Sequence, residues 1–249
     1  MIVELILPAH NEGTSIRAAI EGFLDAAATS PYELRVLVTE DGSVDDTRAV
    51  VEQVAAERPG LVRITPPSGR KGYSKAVVDA IPMTDCDVVA FCDSDRQFDP
   101  GELERLVCAV GPGRVVSGCR SPRSDSTFRI ACSKAFGLAY LLLIGLRMED
   151  PSSPFVALDR GDLLRFAPER THLSYGFWWE FFARARAAGL ELHEIAVTHR
   201  PRADGTTQVY RLGKLPGIVG THLRGLVALR RELRGSAVEP ITAGDVVTS

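Results

Sequence analysis

Asp93 and Asp95, two carboxylates one residue apart, follow directly on the apolar run Val88-Val89-Ala90-Phe91-Cys92. Such a run has the pattern of a strand buried on both faces, and the polar turn after it lies outside the strand's carboxyl end, where an open α/β sheet keeps its ligands. At this spacing both carboxylates can face one hard divalent cation, Mg²⁺ or Mn²⁺. Such a cation takes oxygen ligands and leaves positions for the oxygens of a diphosphate. An Asp-x-Asp met anywhere in a sequence is more often a pair of solvated acids. Here the strand in front of it, and two similar strand ends upstream, favour a site.

Those upstream ends are Ile2 to Leu7, stopped by Pro8 and followed by Ala9-His10-Asn11-Glu12-Gly13-Thr14, and Leu34 to Val38, followed by Thr39-Glu40-Asp41-Gly42-Ser43. Helical patterns begin near Ser15 and Asp45. A short strand at Val62 to Thr65 precedes the breaker Pro66-Pro67-Ser68-Gly69, and a helix runs from Arg70-Lys71-Gly72 to Ala80. Pro100 opens another helix, and Val115-Val116 is a strand leading to Ser117-Gly118-Cys119-Arg120. Strands alternating with helices predict βαβ units and a mostly parallel sheet.

Downstream the pattern predicts one or two helices over Thr127 to Arg147, a loop at Asp150 to Pro154, and a helix from Phe177 to Ala188 closed by Gly189. A strand at Leu192 to Val197 follows, then an amphipathic helix from Pro216 to Arg234. That helix has an apolar face (Leu215, Ile218, Val219, Leu223, Leu226, Leu233) and a basic one (Arg224, Arg230, Arg231, Arg234). The reading is one domain over 1–235, with a regular first half (1–120), a less regular second half (121–235) and a frayed tail (236–249).

The chain has 249 residues, 45% of them hydrophobic, enough for a buried core, and a net charge of −3 that offers no basic field for nucleic acid. Its five cysteines form no C-x-x-C pair and sit mostly among apolar neighbours, as reduced core thiols do. The start at Met1-Ile2-Val3-Glu4 shows no basic n-region, and the apolar stretch from Phe136 to Leu146 is too short to span a bilayer. A cytoplasmic location is expected; the basic helix could lie on an anionic membrane surface, but packing on the domain with its charges in solvent is favoured, because Gly217, Gly220 and Gly225 weaken it as an independent helix.

Taken together, Pro8-Ala9-His10-Asn11-Glu12, then Glu40-Asp41-Gly42-Ser43 with Asp46-Thr47, then Asp93-Ser94-Asp95 with Gln97, resemble the family 2 glycosyltransferases of GT-A fold. Arg129 with Ser133, Asp150-Pro151-Ser152-Ser153-Pro154-Phe155, Glu180-Phe181-Phe182 and Arg202 with Gly205-Thr206-Thr207 are similar to the dolichol- or polyprenyl-phosphate sugar synthase branch. The resemblance implies that Pro8, Ala9, His10 and Glu12 line the nucleoside pocket, with Asp41 and Gly42 beside them and Asp41 accepting from base or ribose. It also implies that Asp93, Asp95 and Gln97 bind the metal, with Ser94 among the donor-site residues, and that Arg202 adds charge to the leaving diphosphate. The donor is expected to be a UDP- or GDP-sugar.

For the acceptor, the resemblance implies a lipid phosphate held by Arg120, Arg129 and Ser133; the last two, at i and i+4, share one helix face. A phosphate monoester is already ionised near neutral pH and needs no general base, whereas a hydroxyl acceptor needs one. Family members that glycosylate hydroxyls usually carry an Asp about eleven residues before the closing glycine, and here Trp178 stands there. Polyprenyl phosphate is therefore the favoured acceptor. A small-molecule hydroxyl, with Glu180 or Asp150 as base, stays open, as do a sugar-1-phosphate nucleotidyltransferase and a non-catalytic sugar-nucleotide-binding module. The chain departs from the branch at Pro154-Phe155-Val156, where an Arg is usual, at Glu40 for Asp, and at Thr206-Thr207 for Ser-Lys.

Overall fold

Strand β1 (Ile2–Ala9) sends Val3, Leu5, Leu7 and Ala9 to one face of the sheet and Ile6 to the other, so both faces must be covered. The one acid within it, Glu4, is buried and matched by the guanidinium of Arg63 and the backbone N–H of Asp85. The computed structural model describes residues 1–121, 127–168, 170–173, 176–201, 215–235 and 246–248, with the backbone alone for 127–132, 215–219 and 246–248.

Helices α1 (Ile16–Ala26) and α2 (Thr47–Glu57) follow β1 and β2 (Glu33–Glu40), and α3 (Tyr73–Ala80) follows the short β3 (Val62–Ile64). The buried strand β4 (Val88–Phe91) leads through a 3₁₀ turn at Pro100–Glu102 to α4 (Leu103–Ala109), then to β5 (Arg114–Arg120) and α5 (Thr127–Ile144). Next come β6 (Val156–Asp159), α6 (Arg160–Phe166), α7 (Phe177–Ala187), β7 (Glu191–Val197), α8 (Leu215–Gly235) and β8 (Val246–Thr248).

The strands of the described residues form one sheet in the order β3-β2-β1-β4-β6-β5-β7-β8. Every pairing is parallel except those of β6, which lies antiparallel between β4 and β5. Strand order reverses between β1 and β4, and the crevice beyond their carboxyl ends is where such a sheet binds ligands. Helices α1, α2 and α4 cover one face through Ile20, Phe23, Val51, Val54 and Leu106; α3, α6 and α7 cover the other through Val77, Leu163 and Phe181. Each fully buried Leu, Ile or Val contributes about 1.5–3 kcal/mol.

The α/β sheet agrees with the periodicity, but four details differ. Neither β6 nor α6 is read from the sequence, because Val156–Asp159 is too short to show a period. Within the tail expected to fray, residues 246–248 pair with β7, two β-branched valines and a threonine suiting that edge. The inward face of α8 is centred on Leu226 and Leu229, while Leu223 points outward. On α5, Tyr140 and Ile144 pack into the core, whereas Leu138, Leu141 and Leu142 are exposed. Among the described residues no helix is long and apolar enough to cross a membrane. Burial pushes the thiols of Cys86 and Cys119 up to about 12, as unreactive core cysteines require.

Candidate active site

Three loops at strand ends are tied into one wall. Ser94 Oγ donates to the Pro8 carbonyl at 2.8 Å, joining the β4 turn to β1. Asn11, in the left-handed region at φ 56°, receives the Val44 N–H on Oδ1 and donates its own N–H to Ser43 Oγ, joining β1 to β2. Asparagine tolerates that conformation better than other non-glycine residues. The backbone N–H of Glu12 donates to Thr47 Oγ1 at 2.8 Å. His10 lies with Nδ1 2.9 Å from the Asp41 carbonyl, which can only accept, so Nδ1 carries the proton and Nε2 receives the Asn11 amide.

The cavity framed by these loops is lined by Pro8, Ala9, His10, Glu12, Asp41, Asp93, Ser94 and Asp95, together with Arg70 from the turn before α3 and Tyr73 and Ala76 from its first residues. It gathers most of the residues expected at the donor site, and it adds Tyr73 and Ala76, which no motif marks. Gly42 does not line it. At φ +62° its missing side chain lets the backbone of Gly69 and Arg70 come so close that a Cβ would sit 2.4 Å from the Arg70 nitrogen.

Asp41 lines the cavity and also has a structural tie. Its carboxylate accepts the backbone N–H groups of Lys71 at 2.6 Å and Gly72 at 2.9 Å, fixing the turn that opens α3. Gly72, at φ +89°, makes that turn possible. Asp41 thereby places Arg70 and Tyr73 on the cavity wall. The side chain of Lys71 pairs with Asp79.

Asp93 and Asp95 are both part-exposed at the cavity mouth. Asp93 Oδ1 accepts from the Tyr73 hydroxyl at 2.9 Å, and Asp95 Oδ1 accepts from the Gln97 N–H at 3.2 Å. Arg96 between them has φ 61°, a strained value of the kind that gathers at functional turns. Among the described residues no three His, Cys, Asp or Glu side chains close around one point. A pair of carboxylates with room for substrate oxygens is nonetheless the donor set Mg²⁺ ordinarily uses beside a phosphate, so the residues present fit such a cation.

Gln97 is turned from the cavity wall. Its Nε2 donates to the Arg200 carbonyl at 3.0 Å and its carbonyl accepts the Arg200 N–H at 2.7 Å, so the segment leading to Arg202 starts against the Asp-Ser-Asp turn. Arg202 itself lies outside the described residues, as does the side chain of Arg129.

The expected acceptor groups are less clearly assembled. Ser133 is half-buried on α5. The Arg120 fork faces inward, with Nε 2.6 Å from Asp150 Oδ2, Nη2 2.8 Å from Oδ1, and Nη2 also 2.7 Å from Ser152 Oγ. This bidentate pair is buried, so the Arg120 guanidinium is turned to Asp150 in the structure rather than held out toward solvent. It also places Asp150 in an ion pair rather than where a base would be useful. Glu180 is equally committed. Fully buried, it accepts the N–H groups of His172 and Leu173 and the guanidinium of Arg184. Trp178 and Trp179 are core residues, edge-on to Phe91 and Phe136.

Residues 4–162 match the model of glycosyl transferase family 2. The undecaprenyl-phosphate 4-deoxy-4-formamido-L-arabinose transferase of Pseudomonas fluorescens is 30% identical over 149 residues, 59% of this chain and 44% of that protein. The enzyme of that name from Serratia proteamaculans is 32% identical over 152 residues, 59% of this chain and 46% of that protein. The chain thus spans less than half the length of these curated relatives. An uncharacterised glycosyltransferase of Mycobacterium bovis is 29% identical over 210 residues, 83% of this chain and 89% of that one.

Among solved structures, glucosyl-3-phosphoglycerate synthase of Mycobacterium tuberculosis, crystallised with Mn²⁺, UDP and glucosyl-3-phosphoglycerate, superimposes with a TM-score of 0.65 at 19% identity, covering 99% of this chain and 88% of that one. Mannosyl-3-phosphoglycerate synthase of Rubrobacter xylanophilus gives a TM-score of 0.62 at 20% identity, covering 98% of this chain and 78% of that one. The fold is therefore GT-A, and the chain belongs to glycosyl transferase family 2.

Proposed function

We propose that the protein moves a sugar from a nucleoside diphosphate sugar to a polyprenyl phosphate, in a metal-dependent reaction that inverts the anomeric centre. The observation that carries the donor half is the placement of Asp93 and Asp95 at the mouth of a cavity whose other walls are Pro8 to Glu12, Asp41 and Arg70. Asp93 and Asp95 would hold a divalent cation there, which would supply Lewis-acid charge to the leaving diphosphate. Asp41 and Asn11 hold the loops in register so that the nucleoside enters a preformed slot, and Arg202 brings a guanidinium to the diphosphate from the segment that starts at Arg200. In the displacement, a phosphate oxygen of the acceptor bonds to the anomeric carbon as the carbon–oxygen bond to the diphosphate breaks, and the diphosphate leaves with the electron pair.

Three observations support a lipid phosphate. Glu180 and Asp150, the two bases a hydroxyl acceptor could call on, are buried in ion pairs. Leu138, Leu141 and Leu142 are exposed on α5, the helix that bears Ser133 and Arg129, and an isoprenoid chain would find an apolar face there. The relatives named as undecaprenyl-phosphate transferases point the same way.

The test is release of nucleoside diphosphate from UDP- and GDP-sugars with Mg²⁺ or Mn²⁺, with and without a short polyprenyl phosphate. Release stimulated by the lipid, with a glycosylated lipid phosphate found by mass spectrometry, is expected. Arg129→Ala should raise the KM for the lipid more than it lowers kcat. Slow release indifferent to lipid phosphate would move the acceptor to a hydroxyl compound.

A further inference from the structure

Trp178 donates its indole N–H to the Tyr73 hydroxyl at 2.9 Å, and the Tyr73 hydroxyl lies 2.9 Å from Asp93 Oδ1. We propose that Trp178 and Tyr73 form a relay that positions Asp93 for the divalent cation, so that the first turn of α7 sets how tightly the metal binds. The inference rests on the reading that Asp93 and Asp95 hold that cation.

The direction of both hydrogen bonds is forced by chemistry. An indole nitrogen can only donate, so the Tyr73 oxygen must accept from it; an ionised carboxylate can only accept, so the single phenolic proton goes to Asp93. Tyr73 has no second proton with which to serve another acceptor. The tyrosine therefore cannot rotate to an alternative arrangement without losing one partner or the other.

Both ends of the relay are rigidly held. The Trp178 ring is nearly buried and meets Phe91 at 5.3 Å, Phe177 at 4.9 Å and Phe181 at 5.2 Å, all in edge-on geometry. Phe91 is the last residue of β4, the strand that runs into Asp93, so the relay and its target are anchored on the same element. Tyr73 is the first residue of α3, and the turn before it is fixed by the Asp41 carboxylate.

Tyr73 is 36% exposed as a residue, while its hydroxyl is enclosed between the Trp178 indole and the Asp93 carboxylate. Carboxylates that ligate metals are themselves hydrogen-bonded from behind, and losing such a partner typically weakens metal binding about 10–100-fold.

The experiment titrates Mn²⁺ into the full chain in the presence of UDP, and separately GDP, following free Mn²⁺ by electron paramagnetic resonance. Asp95→Ala, Tyr73→Phe, Trp178→Phe and the Tyr73→Phe/Trp178→Phe double variant are compared with wild type. Tyr73→Phe, titrated below its own thermal midpoint, should bind Mn²⁺ about ten-fold more weakly; the midpoint itself should fall by several degrees, because the nearly buried Trp178 N–H loses its acceptor. Trp178→Phe should show a smaller loss, and the double variant should be no worse than Tyr73→Phe, because the indole acts only through the tyrosine. If Asp95→Ala loses Mn²⁺ while Tyr73→Phe binds it like wild type, the relay is wrong and the cation site stands. Additive losses in the double variant would likewise overturn it. If Asp95→Ala binds Mn²⁺ like wild type, the cation reading fails and the relay goes with it.

Discussion

Asp95→Asn is expected to lower metal-dependent release of nucleoside diphosphate by about 10²–10³-fold, the usual effect of removing one group aimed at charge that develops in the transition state. The side chain is part-exposed in a turn and accepts the Gln97 N–H at 3.2 Å, which an asparagine oxygen can also do. Shape and turn are preserved while the charge is lost. The thermal midpoint should therefore match wild type, and the loss should appear as a lower kcat together with a weaker dependence on added Mn²⁺ or Mg²⁺. Near-normal turnover by the variant would mean that the carboxylates are no more than solvated acids in a loop.

Arg184→Ala should have the largest effect on stability. The Arg184 guanidinium donates to Glu180 Oε1 through Nε at 2.9 Å and Nη2 at 2.7 Å, and reaches Glu232 on α8 through Nη1 at 2.6 Å. Truncation leaves the wholly buried Glu180 carboxylate without its counter-charge and unties α8 from α7. Breaking a buried pair from one side costs about 3–5 kcal/mol. For a chain of this size the midpoint falls by roughly 2–4 °C per kcal/mol, so a drop on the order of 10 °C is expected by thermal melting. Glu180→Gln, assayed below its own midpoint, should keep most of its kcat. A loss of about 10²–10⁴-fold there would instead mark Glu180 as a general base and restore the hydroxyl acceptor.

The donor side was legible in the sequence because its signal is local. Each of β1, β2 and β4 is an apolar run that ends in a polar turn, and a parallel sheet brings such ends together whatever lies between them. The roles assigned to single side chains travelled less well. Asp41 holds the turn before α3, a bond to residues some thirty positions downstream that no spacing rule reports. Arg120 and Asp150 looked like separate functional candidates, yet they neutralise each other across thirty residues. Tyr73 and Trp178 lie 105 residues apart and reach Asp93 only because α3 and α7 share a face of the sheet. Strand β6 carries a weaker signal for another reason: three buried residues and a part-exposed Asp159 are too short a run to show alternation or helical period.

The most direct test is the position of a bound cation. Crystals grown with Mn²⁺ and UDP, or with GDP if that nucleotide supports turnover, should show an anomalous Mn²⁺ peak within bonding distance of Asp93 and Asp95. The nucleotide's diphosphate should complete the coordination, and its base should lie against Pro8 to Glu12. Nucleotide in the cavity with no cation on these carboxylates, or a cation held elsewhere, would contradict the proposed chemistry.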